Sequence, residues 1–249
     1  MASKSSLNNV LQSILAVANE EQSAIYPPSI FSTQYNTVTA LLLSKLVKEY
    51  PGGPMSMDIL TPFIKFSMRP VQNGTFTMPD DYRNILGAPY IFVNQNEDGQ
   101  CGKIPQITTL QQFKVAQLKG GCKCLPITIV SESEFSIRTN STYKYPTYKN
   151  PIGYFSGLND DGQKIVKICP YDLTKVALLY AKQENMYQYG YIMQPDDTYI
   201  FDSSTTVESE WTNAAFDVIF KAMMALFSAY VRDKELSDWS RILTQEGIL

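Results

Sequence analysis

Ile152-Gly153-Tyr154-Phe155, then Asn159-Asp160-Asp161-Gly162, then Lys164-Ile165-Val166-Lys167-Ile168 decide how the middle of this chain folds. Two short runs rich in Ile, Val, Tyr and Phe flank a cluster of turn formers, the pattern of two strands joined by a tight connection. The same texture runs from about residue 55 to 203, where Pro, Gly and Asn punctuate short apolar runs. Further strands are expected at Ile127–Val130, Phe135–Thr139, Val176–Ala181 and Thr198–Phe201. One helix is expected to interrupt near Thr108 to Leu118, ended by Gly120-Gly121. Tyr143-Lys144-Tyr145-Pro146-Thr147-Tyr148 reads as an exposed aromatic loop.

Outward from this middle the period changes. Leu7, Val10, Leu11, Ile14, Leu15 and Ala18 make one helical stripe over residues 6 to 25, with Ser5 or Ser6 as cap and Tyr26-Pro27-Pro28 as stop. A second helix follows from about Ser29, a candidate N-cap, to Tyr50. Its apolar face is Phe31, Tyr35, Val38, Leu42 and Leu46, and Pro51-Gly52-Gly53-Pro54 ends it. The short Pro link predicts an antiparallel hairpin. Toward the C-terminus, Thr205-x-x-Glu208 fits a capping box. Val207, Trp211, Ala214, Val218, Ala222 and Ala225 then form one helix face, and Phe216, Phe220, Met223, Phe227 and Tyr230 much of another. Leu236, Trp239, Ile242 and Leu243 continue a last helix. A helix apolar on more than one side is buried on more than one side. The expected fold class is α+β. It comprises a helical hairpin over 1–54, a β-rich middle domain over 55–203, and C-terminal helices over 204–249 that return to the hairpin and form a bundle.

Composition narrows function. The 249 residues are 44% hydrophobic and 18% charged, with sixteen Tyr and twelve Phe, so a substantial core and partner-covered surface are both expected. Net charge is −3, which gives no global basic signal for nucleic acid. There is no histidine. Ser-His-Asp and Cys-His mechanisms and His-containing zinc sites are thereby excluded, while Glu, Asp, Lys and Tyr chemistry stays open. Cys101, Cys122, Cys124 and Cys169 are irregularly spaced, and Cys122-Lys123-Cys124 is not the two-residue-spaced knuckle of zinc sites. Reduced thiols are the expectation, a four-thiolate metal centre the alternative. The N-terminus is amphipathic rather than a signal core, and no stretch reaches 18 apolar residues.

Chemistry-bearing motifs are scarce. No phosphate-binding glycine fingerprint occurs. The doublets Asp80-Asp81, Asp160-Asp161 and Asp196-Asp197 sit beside Pro or Gly and read as solvated turns. Lys144 and Lys149 among the tyrosines of 143–154 suit loop packing first, then an interface or carbohydrate-facing loop, then base stacking. Lys114, Lys119 and Lys123 read as a solvated helix face. Trp211 and Trp239 are ordinarily core residues, and a hot spot at a subunit contact is the sharper alternative. No catalytic, cofactor or metal residues are assigned, and no catalysis is expected. The candidate subunit interface is Trp211, Phe216, Phe220, Phe227 and Trp239.

Three stretches carry a resemblance. They are Ile59-Leu60-Thr61-Pro62-Phe63 through Met78-Pro79-Asp80-Asp81-Tyr82; Tyr145 through Pro151, followed by Ile168-Cys169-Pro170 and Lys175 to Tyr180; and Tyr199-Ile200-Phe201-Asp202-Ser203-Ser204 with Val207 to Trp211 and Val231-Arg232-Asp233. Together they look like the neck and tail-ring structural proteins of crAss-like Bacteroidetes phages with short tails, over most of the chain. Where relatives often carry an Arg-containing strand end after the Tyr180 position, Ala181-Lys182-Gln183 stands here, which leaves open which ring this would be. The resemblance implies a virion subunit assembled in the host cytoplasm. It would form a ring, typically of twelve copies, beneath the portal, with a fold similar to podovirus-type head–tail adaptors. The portal, an adjacent tail ring and sliding genomic DNA would be its partners, with no cofactor and no membrane anchor. A receptor- or glycan-binding tail or head-fibre module is the alternative.

Overall fold

A computed structural model describes residues 6–18, 26–50, 58–94, 122–195 and 198–231. The chain is α+β. It divides into two compact units, one of residues 63–183 and one made of 1–62 together with 184–249.

The unit of residues 63–183 is built on two sheets. The first centres on β9 (Lys175–Lys182), which pairs antiparallel with β1 (Ile64–Pro70), β3 (Tyr82–Ile85) and β4 (Tyr90–Asn94); β4 in turn pairs with β5 (Cys122–Pro126). The second runs β2 (Thr75–Thr77), β8 (Lys164–Cys169), β7 (Ile152–Leu158) and β6 (Thr128–Ile129). The β6–β7 pair is parallel and the others antiparallel. Alternation sets the core. Val176, Leu178 and Tyr180 of β9 and Ile91 and Val93 of β4 meet Phe76 of β2 and Val166 and Ile168 of β8 in one buried cluster. Phe92 and Ala177 point the other way and pack with Phe66, Met68 and Tyr90, so β4 and β9 carry apolar side chains on both faces. The Asn159–Gly162 connection between β7 and β8 is the tight turn expected. Gly162 N–H donates to Asn159 O at 2.9 Å, Gln163 N–H donates to Asn159 Oδ1 at 2.7 Å, and Gly162 takes φ +78°.

The second unit holds α1 (Leu7–Ala18), α2 (Pro28–Glu49), the two-stranded pair β10 (Tyr191–Met193) and β11 (Tyr199–Phe201), and α4 (Phe216–Val231). Helix α4 packs against both α1 and α2. Aromatic rings fill the interior. Tyr26 meets Phe227 edge-on at 4.8 Å, Phe31 meets Tyr189 at 5.7 Å, and Tyr35 meets Tyr187 at 5.6 Å. Such pairs add about 0.5–1.5 kcal/mol each beyond their area. The segment leading to β10 is tied to α2 by side chains: Tyr187 N–H donates to Asn36 Oδ1 and Asn36 Nδ2 returns a bond to Tyr187 O, both at 2.8 Å. Tyr35 Oη donates to Ser209 Oγ at 2.9 Å; burial of that phenol pushes its pKa far up, so it stays a neutral donor. Much of the aromatic content noted in the sequence is therefore core.

Several expectations are corrected. Residues 135–139 lie in helix α3 (Glu132–Thr139), not a strand, because Ser131 Oγ accepts Glu134 N–H at 3.3 Å and Glu134 pairs with Arg138 one turn on. Helix α2 starts on Pro28 with Pro27 as its cap, not on Ser29; a proline at the first position lacks an N–H that would be unpaired anyway. Leu43 and Thr39 are buried in α2, while Leu42 is only partly so. Among the described residues, α1 and α2 each pack on α4. Thr205 and Glu208 do not open a helix, and α4 begins only at Phe216. The units divide at Pro62 and Gln183 rather than at 54 and 203, so residues 184–203 belong with the helices. The strands β1 to β5 and β10 had no counterpart among the sequence-based assignments. The expected helix at 108–118 and the last helix over 236–243 lie outside the described residues.

Candidate functional site

The five candidate interface residues separate. Trp211 and Phe227 are 0% exposed, so their area is spent inside the helical unit and is not offered to another subunit. Phe216 and Phe220, one turn apart on α4, stack at 5.9 Å with planes 4° apart and are only partly buried. Trp239 lies outside the described residues.

Elsewhere, α2 and α4 form an apolar groove of about 170 Å³ lined by Val38, Leu41, Leu42, Lys45, Val218 and Ala222. Leu41 is 66% exposed there. Aliphatic side chains left on the outer side of two packed helices are unspent hydrophobic free energy.

A further such feature lies in a strand pair of which the sequence marked only residues 198–201. In β10–β11, Ile192 faces Ile200 across the pair, and both are more than half exposed. The opposite face carries Tyr191, Met193, Tyr199 and Phe201; Tyr191 and Tyr199 meet edge-on at 5.3 Å, and Phe201 packs inward on Tyr189. A two-stranded ribbon is marginal alone in water, yet this one is apolar on both faces and neither strand carries a charge. Sheet edges meant for solvent are normally blunted by charge or proline.

The base of the ribbon is stapled. Asp202 N–H donates to Gly190 O at 2.9 Å, and Gly190 N–H donates to Thr206 Oγ1 at 3.0 Å. The Asp202 carboxylate accepts from Ser204 N–H, Ser204 Oγ and Thr205 Oγ1 at 2.7–2.9 Å, which holds its pKa below the ordinary carboxylate value. Gly190 is required here: an added Cβ would lie 2.3 Å from Thr205 Oγ1 and 2.4 Å from Asp202 O. The Thr205 read as a capping residue is thus part of a strand-end clamp. Glu208 instead caps α1, accepting Leu7 N–H at 3.0 Å.

The β unit presents an aromatic-basic patch. Tyr143 is 98% exposed, and Tyr145 and Tyr171 about half so, beside exposed Lys144, Lys149 and Lys167. The loop is anchored from below. Tyr145 hydrogen-bonds Cys169, and Tyr148 donates to Asp172; burial and that bond raise the Tyr148 pKa to about 12. Cys169 is a buried free thiol.

A polar groove of about 450 Å³ also opens on this unit, lined by Met78, Pro79, Asp80, Tyr82, Asp161 and Lys164 among others. Its polar groups engage one another: Gln163 donates to Asp80, and Lys164 Nζ sits 5.2 Å over the Tyr82 ring. Among the described residues no group of three or more His, Cys, Asp or Glu is placed to hold a metal ion, and no helix is long and apolar enough to cross a membrane. No protein-family model matches the chain, and no curated protein matches it at a significant level.

Proposed function

We propose that this protein is a non-enzymatic virion subunit that packs with sister copies into a ring in the neck or tail of a short-tailed phage, of the crAss-like kind its sequence resembles. In that role it joins the portal to the next tail component and prolongs the channel through which DNA leaves during ejection. The fold proposed is adaptor-like, with α1, α2 and α4 as a terminal bundle carrying an inserted β-rich platform. The observation that carries the reading is the stapled β10–β11 ribbon, apolar on both faces and held rigid at its base. A feature so costly to leave in water is best accounted for by a permanent partner. The half-open Phe216–Phe220 stack and the α2–α4 groove point the same way. A net charge of −3 is compatible with a lumen through which DNA slides.

Class averages of the purified protein in negative stain test this. Closed rings with a central hole are expected. Open fibres, or monomers at every concentration, would count against it, since heterologous contacts either close or run on.

One observation favours a second reading, a glycan-binding tail module: Tyr143 at 98% exposure on a lysine-flanked loop. A glycan array with Tyr143→Ala as control separates the two, because a ring subunit binds no sugar.

A further inference from the structure

The two units carry opposite charge. Residues 63–183 hold fourteen Lys and Arg against nine Asp and Glu, net +5, whereas the remainder holds seven against fifteen, net −8. The polarity is sharpest around the ribbon. From Gln183 to Phe220 there are seven carboxylates and not one Lys or Arg. The ribbon is therefore an apolar knob with Asp196 and Asp197 in the sequence between its strands and Asp202 directly after them. Its complement would be an apolar surface with a basic rim, and the chain presents one itself. Tyr143, Tyr145 and Tyr171 lie exposed among Lys144, Lys149 and Lys167, with Asp172 the acidic group at its edge, engaged by Tyr148.

We infer that the ribbon of one copy docks on the tyrosine–lysine patch of the next. The occupant of each surface is thus a second copy of this chain, through different faces of the two molecules. This rests on the self-assembly reading above and adds to it the pair of surfaces and the direction of the contact. Ile192, Ile200 and Met193 supply the apolar insertion. The three tyrosine rings receive it, at little entropic cost because each turns about only two side-chain bonds. The lysines are the counter-charges for Asp202 and for the aspartates in the sequence between the two strands, which sets orientation and partner choice more than strength. In a closed ring each copy makes the contact twice, once through its ribbon and once through its patch, so closure adds avidity to the single contact. A head-to-tail contact of this kind leaves every copy with one used ribbon and one used patch only when the ring closes.

The test uses two full-length variants. Ile192→Asp with Met193→Asp disables the ribbon and leaves the patch; Lys144→Glu with Lys149→Glu disables the patch and leaves the ribbon. All four side chains are exposed, so thermal unfolding should match that of the wild-type protein. In sedimentation velocity each variant alone should be monomeric, with self-association weakened by about tenfold or more. Their equimolar mixture should give a heterodimer and nothing larger, because only one competent ribbon meets one competent patch. Assembly of the wild-type protein should also weaken as salt is raised from about 0.1 to 0.5 M, as the lysine rim is screened. If the wild-type protein assembles and the lysine variant assembles equally well, the contact proposed here is wrong while self-assembly stands. If the mixture stays monomeric, the contact is likewise overturned. A wild-type protein that never associates overturns both readings.

Discussion

Glu208 Oε2 accepts the backbone N–H of Leu7 at 3.0 Å, closing the open end of α1 from 201 positions away in the sequence. Ser6 Oγ adds a longer bond to the same carboxylate, at 3.4 Å. A carboxylate there satisfies an otherwise unpaired donor and complements the positive end of the helix dipole. Glu208→Ala should lower stability by about 1 kcal/mol, within the range of lost caps. Glu208→Gln should cost less. Urea unfolding of the three proteins measures this, and equal midpoints for all would refute the capping role.

The aromatic residues of the C-terminal region should fall into two groups. Trp211→Ala and Phe227→Ala each empty a fully buried site and should cost about 3–5 kcal/mol. Phe220→Ala removes half of a surface stack and should change monomer stability by less than about 1.5 kcal/mol. Thermal unfolding below the assembly concentration separates the groups; a large loss for Phe220→Ala would mean its ring is core.

Gly190→Ala should disrupt the ribbon clamp. The new methyl would press on the Asp202 carbonyl and the Thr206 amide, at 2.4 and 2.7 Å, and backbone cannot swing aside as a side chain can. Overpacking of this kind costs about 1–3 kcal/mol. Hydrogen exchange of the Asp202 and Gly190 amides should quicken selectively. Unchanged protection at both would show that the clamp tolerates the methyl.

Asp81 gives the β unit an acid-sensitive tie. Burial opposes its charge, but hydrogen bonds from Lys65 at 2.7 Å and Tyr180 at 2.8 Å outweigh that and hold its pKa below 3.8. In the window between the depressed folded value and 3.8 the unfolded chain binds the proton first. The stabilisation is therefore whole above that window and is lost as pH falls through it. Lys65 and Asp81 are both more than a third exposed, so the effect is small and screened by salt. Denaturation midpoints at pH 6 and pH 3 should differ less in Asp81→Asn than in the wild-type protein; an identical pH dependence would contradict the assignment.

Local signals in the sequence were legible where one segment decides its own structure. The Asn159–Gly162 turn, the Leu7–Ile14 stripe and the run from Phe31 to Leu46 follow from period and turn chemistry alone. Signals failed where a distant partner decides. Thr205 and Glu208 stand at capping-box spacing, but Thr205 is taken by Asp202 and Glu208 by Leu7. Phe135–Thr139 has strand-like composition, yet the Ser131 cap and the Glu134–Arg138 pair make it helical. Trp211 and Phe216 look alike in a sequence; only packing shows one buried and the other at the surface. The ribbon itself was half visible, as a strand at 198–201, but its partner strand of three residues is too short for alternation to register.

The central claim is that apolar surface left open on one chain is closed by other copies of it. Mass photometry of the wild-type protein across a concentration series measures this most directly. The account predicts a population at a fixed integer multiple of 28.1 kDa that grows with concentration at the expense of monomer. A single 28.1 kDa species at every concentration would contradict it.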